Sequence, residues 1–224
     1  YGTHGAMTRY VRVPARLLHR IPESVSFEDA AMAEPCAVAA HAVLELSRIK
    51  PGDTVVVFGS GPIGLLCYQM ARLCSPRWAA LVALSTDGAR LQMAESVGVA
   101  PILFADLDDL EGWVRRYTDG YGAEVVIDAV GTSAVLEPCL RVVRPDGQIT
   151  KVGWGPEPLG FSLDPLVGKQ VRLQGSFSHT WATWERVLQL MASQHLRLAP
   201  VRRVFPLSQW REAFHAMQER RTVK

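Results

Sequence analysis

The sequence predicts an α/β fold: a doubly wound, parallel, six-stranded sheet with helices on both faces. Short, continuous, β-branched apolar runs mark strands buried on both sides, the clearest being TVVVF at residues 54–58. Segments of helical periodicity lie between these runs, and Gly, Pro and Asp punctuate the boundaries. Strands that alternate with helices pair in parallel, because each right-handed crossover lays its helix on a face of the sheet.

Taken in order, residues 1–27 read as extended or irregular chain containing Pro14 and Pro22. Residues 30–46, AAMAEPCAVAAHAVLEL, are alanine-rich and helical in spacing, and Pro51-Gly52-Asp53 turns the chain into the strand at 54–58. A glycine-rich turn and an apolar helix at 62–73 follow. A second buried strand is expected at 81–84, with Asp87 as the cap of a helix over 88–96. Residues 101–104 read as a third strand and 110–117 as a short helix. Val125-Val126-Ile127 is a fourth strand, followed by a helix over 133–142. After the turn Arg144-Pro145-Asp146-Gly147, residues 148–152 read as the fifth strand and 171–175 as the sixth, with an amphipathic helix over 182–194. Residues 202–224 read as a short strand plus a helix. The two ends stand outside the alternation and read as parts of a second structural unit.

Gly59-Ser60-Gly61-Pro62-Ile63-Gly64 fits G-x-G-x-x-G in the required context, with a buried strand before it, a helix after it and another strand about 20 residues on. The first glycine permits the tight turn, the second lets the backbone approach a pyrophosphate, and the third lets the helix pack on the strand. N–H groups at the helix start face the phosphates, and Pro62 removes no donor that the helix needs. The turn reads as a dinucleotide site contacted by Gly59, Gly61, Pro62, Ile63 and Gly64, the alternative being a purely structural strand-to-helix turn. An NAD site usually carries Asp or Glu at the end of the second strand. Here that position falls on Ser85, beside Thr86, and Arg90 stands a helical turn further on, where it can pair with a 2′-phosphate. NADP is favoured over NAD on that ground, with Asp87 as the residue that could return the ribose to NAD. The loops 128–132 (DAVGT) and 152–155 (VGWG) follow the fourth and fifth strands and should face the nicotinamide, through Val130, Gly131, Val152 and Gly153.

Several motifs in order give a resemblance that covers nearly the whole chain. They are GAMTRYVRVP at 5–14, AEPCAVAAHA at 33–42, the glycine turn, GAEVVIDAVG at 122–131, RPDG at 144–147, and Phe205-Pro206-Leu207 with Ala213-Phe214. The chain is similar to the medium-chain, zinc-type alcohol dehydrogenases, especially the polyol (sorbitol-like) and threonine dehydrogenase branch. That resemblance implies a Rossmann domain over residues 28–198, with remnants of a GroES-like catalytic domain at 1–27 and 199–224. It implies hydride transfer between a secondary alcohol or its ketone (a polyol, diol or amino alcohol) and NAD(P), with zinc as Lewis acid in the whole protein. Glu34 matches the family position beside the zinc, which makes it the candidate catalytic and metal residue; its other reading is a helix-start carboxylate favoured by the dipole. The family's metal cysteine and histidine have no counterpart here, and His41 reads as a packed or surface histidine. Phe177 and Ser178 match positions beside the nicotinamide, although many polyol enzymes carry a base where Ser178 stands. Family members associate through the last strand of the sheet, so a homodimer or homotetramer is expected.

Two other readings stay open. One is a stand-alone dinucleotide-binding module without catalysis; the other is a zinc-free quinone reductase-like enzyme, which Glu34-Pro35 disfavours. The bulk composition narrows the field. A net charge of +2 from 24 basic and 22 acidic residues gives no reason to expect nucleic acid, and the run Arg220, Arg221, Lys224 reads as a solvated end. No apolar run reaches the roughly 18–20 residues of a membrane span. Cys36, Cys67, Cys74 and Cys139 form no C-x-x-C pair and suit a reducing cytoplasm. The chain opens on Tyr1 and reads as a fragment.

Overall fold

The structure, a computed structural model, describes residues 5–106 and 109–219. His4 and the basic run Arg220, Arg221 and Lys224 lie outside the described residues. Ser26 opens the first helix, α1 (Phe27–Ala30), by accepting the Asp29 N–H at 3.1 Å. A second helix, α2 (Ala33–Ala40), carries Pro35 in its first turn, where a missing N–H costs no helical bond, and it runs into a π-helical turn, His41–Leu46. The single helix expected at 30–46 is therefore broken, because the Ser26 cap and the Pro35 start define separate helices.

Strand β1 (Thr54–Phe58) and helix α3 (Pro62–Leu73) form where the sequence places them. β2 (Trp78–Ala83) begins earlier than its apolar run, because pairing with β1 already starts at Thr54 opposite Trp78. Then come α4 (Ala89–Ser96), β3 (Ile102–Phe104), α5 (Leu110–Tyr117), β4 (Ala123–Asp128) and α6 (Ser133–Val142). β5 (Val143–Lys151) absorbs the expected turn at 144–147: its pairing with β4 jumps from Ala123–Val143 to Val125–Gln148, and Asp146 takes a φ of +57° in the bulge. The chain closes through α7 (Asp164–Gly168), β6 (Arg172–Gly175), α8 (Trp181–Ala192) and α9 (Trp210–Gln218). The strand expected from residue 202 does not form: among the described residues it has no strand beside it to satisfy its backbone, and residues 202–206 run irregularly into a 3₁₀ turn, Leu207–Gln209.

The sheet has six strands in the order β3-β2-β1-β4-β5-β6, and every pair is parallel. Each residue of β1 is buried, which explains its unbroken apolar run. Side chains alternate across a strand, so Val55 and Val57 join α2, α3 and α8 on one face. Val56 and Phe58 join α5 and α6 on the other. Burying one such side chain contributes about 1.5–3 kcal/mol. The chain order reverses between β1 and β4, and this crevice at the carboxyl ends of the strands is where open α/β sheets take ligands.

At the opposite end of the sheet, Glu124 gathers three strands. Its carboxylate accepts the Thr54 N–H at 2.8 Å and the Thr54 hydroxyl, and Arg144 donates to it at 2.6 Å. Burial pushes the Glu124 carboxyl up, but the Thr54 hydroxyl and amide together with Arg144 outweigh it and hold the group below the usual glutamate value. A depressed folded-state pKa stabilises the fold above the unfolded value and loses that contribution as the pH falls through the folded one. Glu124→Gln should therefore cost about 1–2 kcal/mol at neutral pH. In urea unfolding the deficit should start to shrink near pH 4.3 or so and vanish at more acidic pH; a deficit constant down to pH 2 or so would refute the assignment.

Candidate functional site

The three glycines of the turn are required for three different reasons. Gly59 has a φ of +111°, a region that favours glycine, and a Cβ there would stand 2.9 Å from Val130 Cγ2. Gly64 lies in α3 with its α-carbon against β1, so that a Cβ would fall on the carbonyl oxygen of Gly59. Gly61 differs from both. Its φ is −72°, open to any residue, and a Cβ would meet only the tip of Arg90 at 3.9 Å. Nothing in the chain's own packing demands glycine there, whereas a group lying on the turn would. Pro62 is the first residue of α3, and Leu65 donates back to Gly61 O at 3.0 Å. The Ile63 and Gly64 N–H groups therefore belong to the first helical turn, which has no intrahelical acceptor for them. Together they make an anion cradle at the positive end of the helix.

Above the turn lies a cleft of about 240 Å³ walled by Gly59, Gly61, Ala83, Leu84, Arg90 and Val130. Asp87 closes its floor. The expected cap role of Asp87 is overturned: Gly88 occupies the N-cap position of α4 without a side-chain cap bond. Asp87 instead accepts the Ser60 hydroxyl at 2.5 Å and the Leu84 N–H at 3.0 Å, tying the glycine turn to the end of β2. A tertiary partner 27 residues away outcompetes the local helix end. Ser85 is half-buried and Thr86 is exposed. Ser85 gives its N–H and hydroxyl to Asp106, at 2.9 and 2.6 Å, and these bonds hold the Asp106 carboxyl below the usual range. Sequence reading missed Asp106, since its only signal is a place just after β3.

The loops after β4 and β5 meet as backbone on backbone. A Cβ on Gly131 would overlap Gly153 and Trp154, one on Gly153 would overlap Val130, and one on Gly155 would overlap Gly131. Asp128, fully buried, accepts the Val130 and Gly131 N–H groups at 3.0 and 2.8 Å. Val152 is buried, and Val130 is exposed over the cleft. Phe177, exposed, stands 5.6 Å from Trp154 between ring centroids, and Ser178 follows it at a φ of +60°. The structure thus brings Gly59, Gly61, Arg90 and Val130 into one cleft, with Gly131, Val152 and Gly153 beside it.

Glu34 lies apart from the cleft, in the first turn of α2, with its side chain 58% exposed and its Oε1 3.5 Å from His179 Nε2. Trp184 Nε1 donates to His179 Nδ1 at 2.8 Å. An indole N–H can only donate, so in the neutral ring Nδ1 accepts and Nε2 carries the proton. His179 therefore presents an N–H to Glu34 rather than a lone pair for a metal. His19 stacks on the same indole at 5.1 Å and bonds Glu185 at 2.5 Å, so two histidines far apart in sequence share Trp184. His41 pairs with Glu45 at 2.6 Å on its own helical turn, as a packed histidine would. A zinc ion needs three or four protein donors. Among the described residues no three of His, Cys, Asp and Glu converge, and burial pushes the Cys36 and Cys67 thiols up to about 12, far from the thiolate form. The described residues do not themselves form a zinc site, and Glu34 is the one expected metal residue they contain.

A family model described as zinc-binding dehydrogenase matches residues 62–193. The chain is 33% identical over 222 residues to a sorbitol dehydrogenase from Halalkalibacterium halodurans, covering 98% of this chain and 64% of the relative. It superposes on 2R,3R-butanediol dehydrogenase from Bacillus subtilis with a TM-score of 0.83 at 27% identity, over 94% of this chain and 60% of that one. A putative zinc-binding dehydrogenase from Sinorhizobium meliloti, solved bound to NADP, matches with a TM-score of 0.78 at 26% identity, over 88% and 58%. The chain thus spans about three fifths of the length of these relatives. Among the described residues no helix is long and apolar enough to cross a membrane.

The glycines separate by substitution. Gly64→Ala should cost about 1–3 kcal/mol in urea unfolding, because the backbone must move. Gly61→Val should leave the unfolding midpoint where it is and abolish binding of a dinucleotide. Unchanged dinucleotide binding by Gly61→Val would refute the cradle.

Proposed function

The chain belongs to the zinc-binding dehydrogenase family, and from that membership we propose that it forms the cofactor-binding half of an oxidoreductase that moves hydride between a secondary alcohol and NAD(P). The observation that carries the reading is Gly61, a glycine kept where the chain's own packing leaves room for a side chain. A pyrophosphate on the turn would fill that room. The adenosine half would lie in the cleft against Leu84 and Arg90, and the nicotinamide would reach Val130, Gly131, Val152 and Gly153, with Phe177 and Ser178 next to it. Bound there, the cofactor supplies the hydride chemistry, and the chain holds and orients it.

Kinship with the sorbitol and butanediol enzymes supports polyols and diols as the substrate class, with amino alcohols beside them. Glu34 is the carboxylate this chain would offer to a zinc site completed by residues outside it. On this reading residues 28–198 are the cofactor domain, with 1–27 and 199–224 belonging to the catalytic one. The free cysteines suit a cytoplasmic enzyme. Among the described residues β6 ends the sheet and leaves its outer edge open, which supports a homodimer or homotetramer; light scattering at micromolar concentration that reads a monomer would overturn this.

Ser85 and Arg90 support NADP over NAD, and the carboxylate of Asp106 opposes it. Parallel titrations with NADPH and NADH, followed by nicotinamide fluorescence, should show tighter NADPH binding. Asp106→Ser should tighten NADPH about fivefold further, the scale of an exposed charge pair, and leave NADH unchanged. Preference for NADH would assign the ribose to Asp87 and Asp106, and binding of neither would sink the cofactor reading.

A further inference from the structure

Strands β4 and β5 end side by side on a charged pair that the glycine motif does not announce. Asp128 and Lys151 are register partners, the last residues of their strands. The Lys151 ammonium donates to Gly131 O and Gly153 O, each at 2.7 Å, and lies 3.5 Å from Asp128 Oδ2. Asp128 Oδ1 holds the Val130 and Gly131 N–H groups, while its backbone carbonyl accepts the Val152 and Gly153 N–H groups at 2.8 and 2.9 Å. One cation thus closes a ring that fastens the loop after β4 to the loop after β5.

The place is an expensive one for a charge. Asp128 is fully buried, and its Oδ2 has no hydrogen-bond partner, so the ammonium is its electrostatic counterpart. An apolar residue at 151 would continue the strand at less cost. Asp128 alone ties each loop to the end of β4; what the lysine adds is a bridge between the loop carbonyls themselves, from Gly131 O to Gly153 O. It bonds the carbonyl of Gly131, the residue after Val130, and Val130 Cγ2 borders the space beside Gly59 in the glycine turn. The geometry points to Lys151 as a positioning residue for the nicotinamide half of the dinucleotide: through Asp128, Gly131 and Gly153 it sets the loops against which the ring must lie, without touching the adenosine side. This inference rests on the cofactor reading above.

The test compares ADP-ribose, which lacks the nicotinamide, with NADH and NADPH on the whole chain, by calorimetry and by enhancement of nicotinamide emission. Lys151→Met should bind ADP-ribose within about twofold of the unmodified chain and bind both dinucleotides about tenfold more weakly, with the emission enhancement lost. Equal weakening of both ligand types in a variant that keeps its fold overturns the proposal, as does no change in either. The single substitution strands a buried carboxylate, so Asp128→Asn with Lys151→Met is the companion: it removes both charges and should show the same selective loss. A double variant that still favours the dinucleotide as the unmodified chain does would overturn the positioning role. If the unmodified chain binds neither ADP-ribose nor dinucleotide, the cofactor reading falls and takes this inference with it. If it binds both and the variants do not discriminate, the inference alone falls.

Discussion

The structure depends first on one close approach, that of helix α3 to strand β1. The two meet where the α-carbon of Gly64 lies against the carbonyl of Gly59, with no side chain between them. Any larger residue at 64 would lift the helix from the sheet and swing its N-terminus away from the crevice between β1 and β4. Because the contact holds, the first-turn N–H groups point at the switch of chain order, and the glycine turn has a defined shape. Ser60 adds a second fixing point by donating to Asp87, so the turn is anchored both to its own strand and to the end of β2.

The charged side chains of β4 stand toward its two ends, and this chain treats the ends alike. At the start of β4 the acid Glu124 meets Arg144 of β5, and at its finish the acid Asp128 meets Lys151 of β5. Each acid also collects backbone N–H groups, from Thr54 at one end and from Val130 and Gly131 at the other. The β4–β5 pair is thus tied by an ion pair at each end, even though its register is interrupted by a bulge. Apolar packing sets which face of the sheet each residue takes; the paired ends set where the loops leave it.

What was legible in the sequence was what local patterns encode. The run 54–58 shows its burial on both faces, and α3, α5 and α6 form over the residues that periodicity marks. The tight turn at Gly59 and the close helix–strand packing at Gly64 followed from their positions in G-x-G-x-x-G. Illegible features are those decided by a distant partner. Asp87 has a good local role as a cap and takes a better one from Ser60; Asp106 matters because Ser85 turns to it; Trp78 joins β2 because β1 is there to pair with. The sequence RPDG at 144–147 carries every sign of a turn, yet the parallel partner β4 draws it into the sheet as a bulge. Lys151 reads as an ordinary strand-end residue until Gly131 and Gly153 are seen to converge on it.

The same distinction separates the two proposed sites, one of which these residues would build and the other of which they would share through a single carboxylate. The groups of the proposed dinucleotide site are mostly backbone: N–H groups of a helix start, α-carbons of glycines and carbonyls bonded by Lys151. One folded sheet supplies them all. A metal site draws side chains from separate segments to one point. Among the described residues Glu34 meets such a side chain in His179 alone, and Trp184 orients that imidazole so that it offers a proton rather than a lone pair. Glu34 thus stands on the rim of α2 with one oxygen 3.5 Å from His179 and its side chain largely open to solvent. This geometry suits a group that lends a charge to a neighbouring site better than one that builds a site of its own.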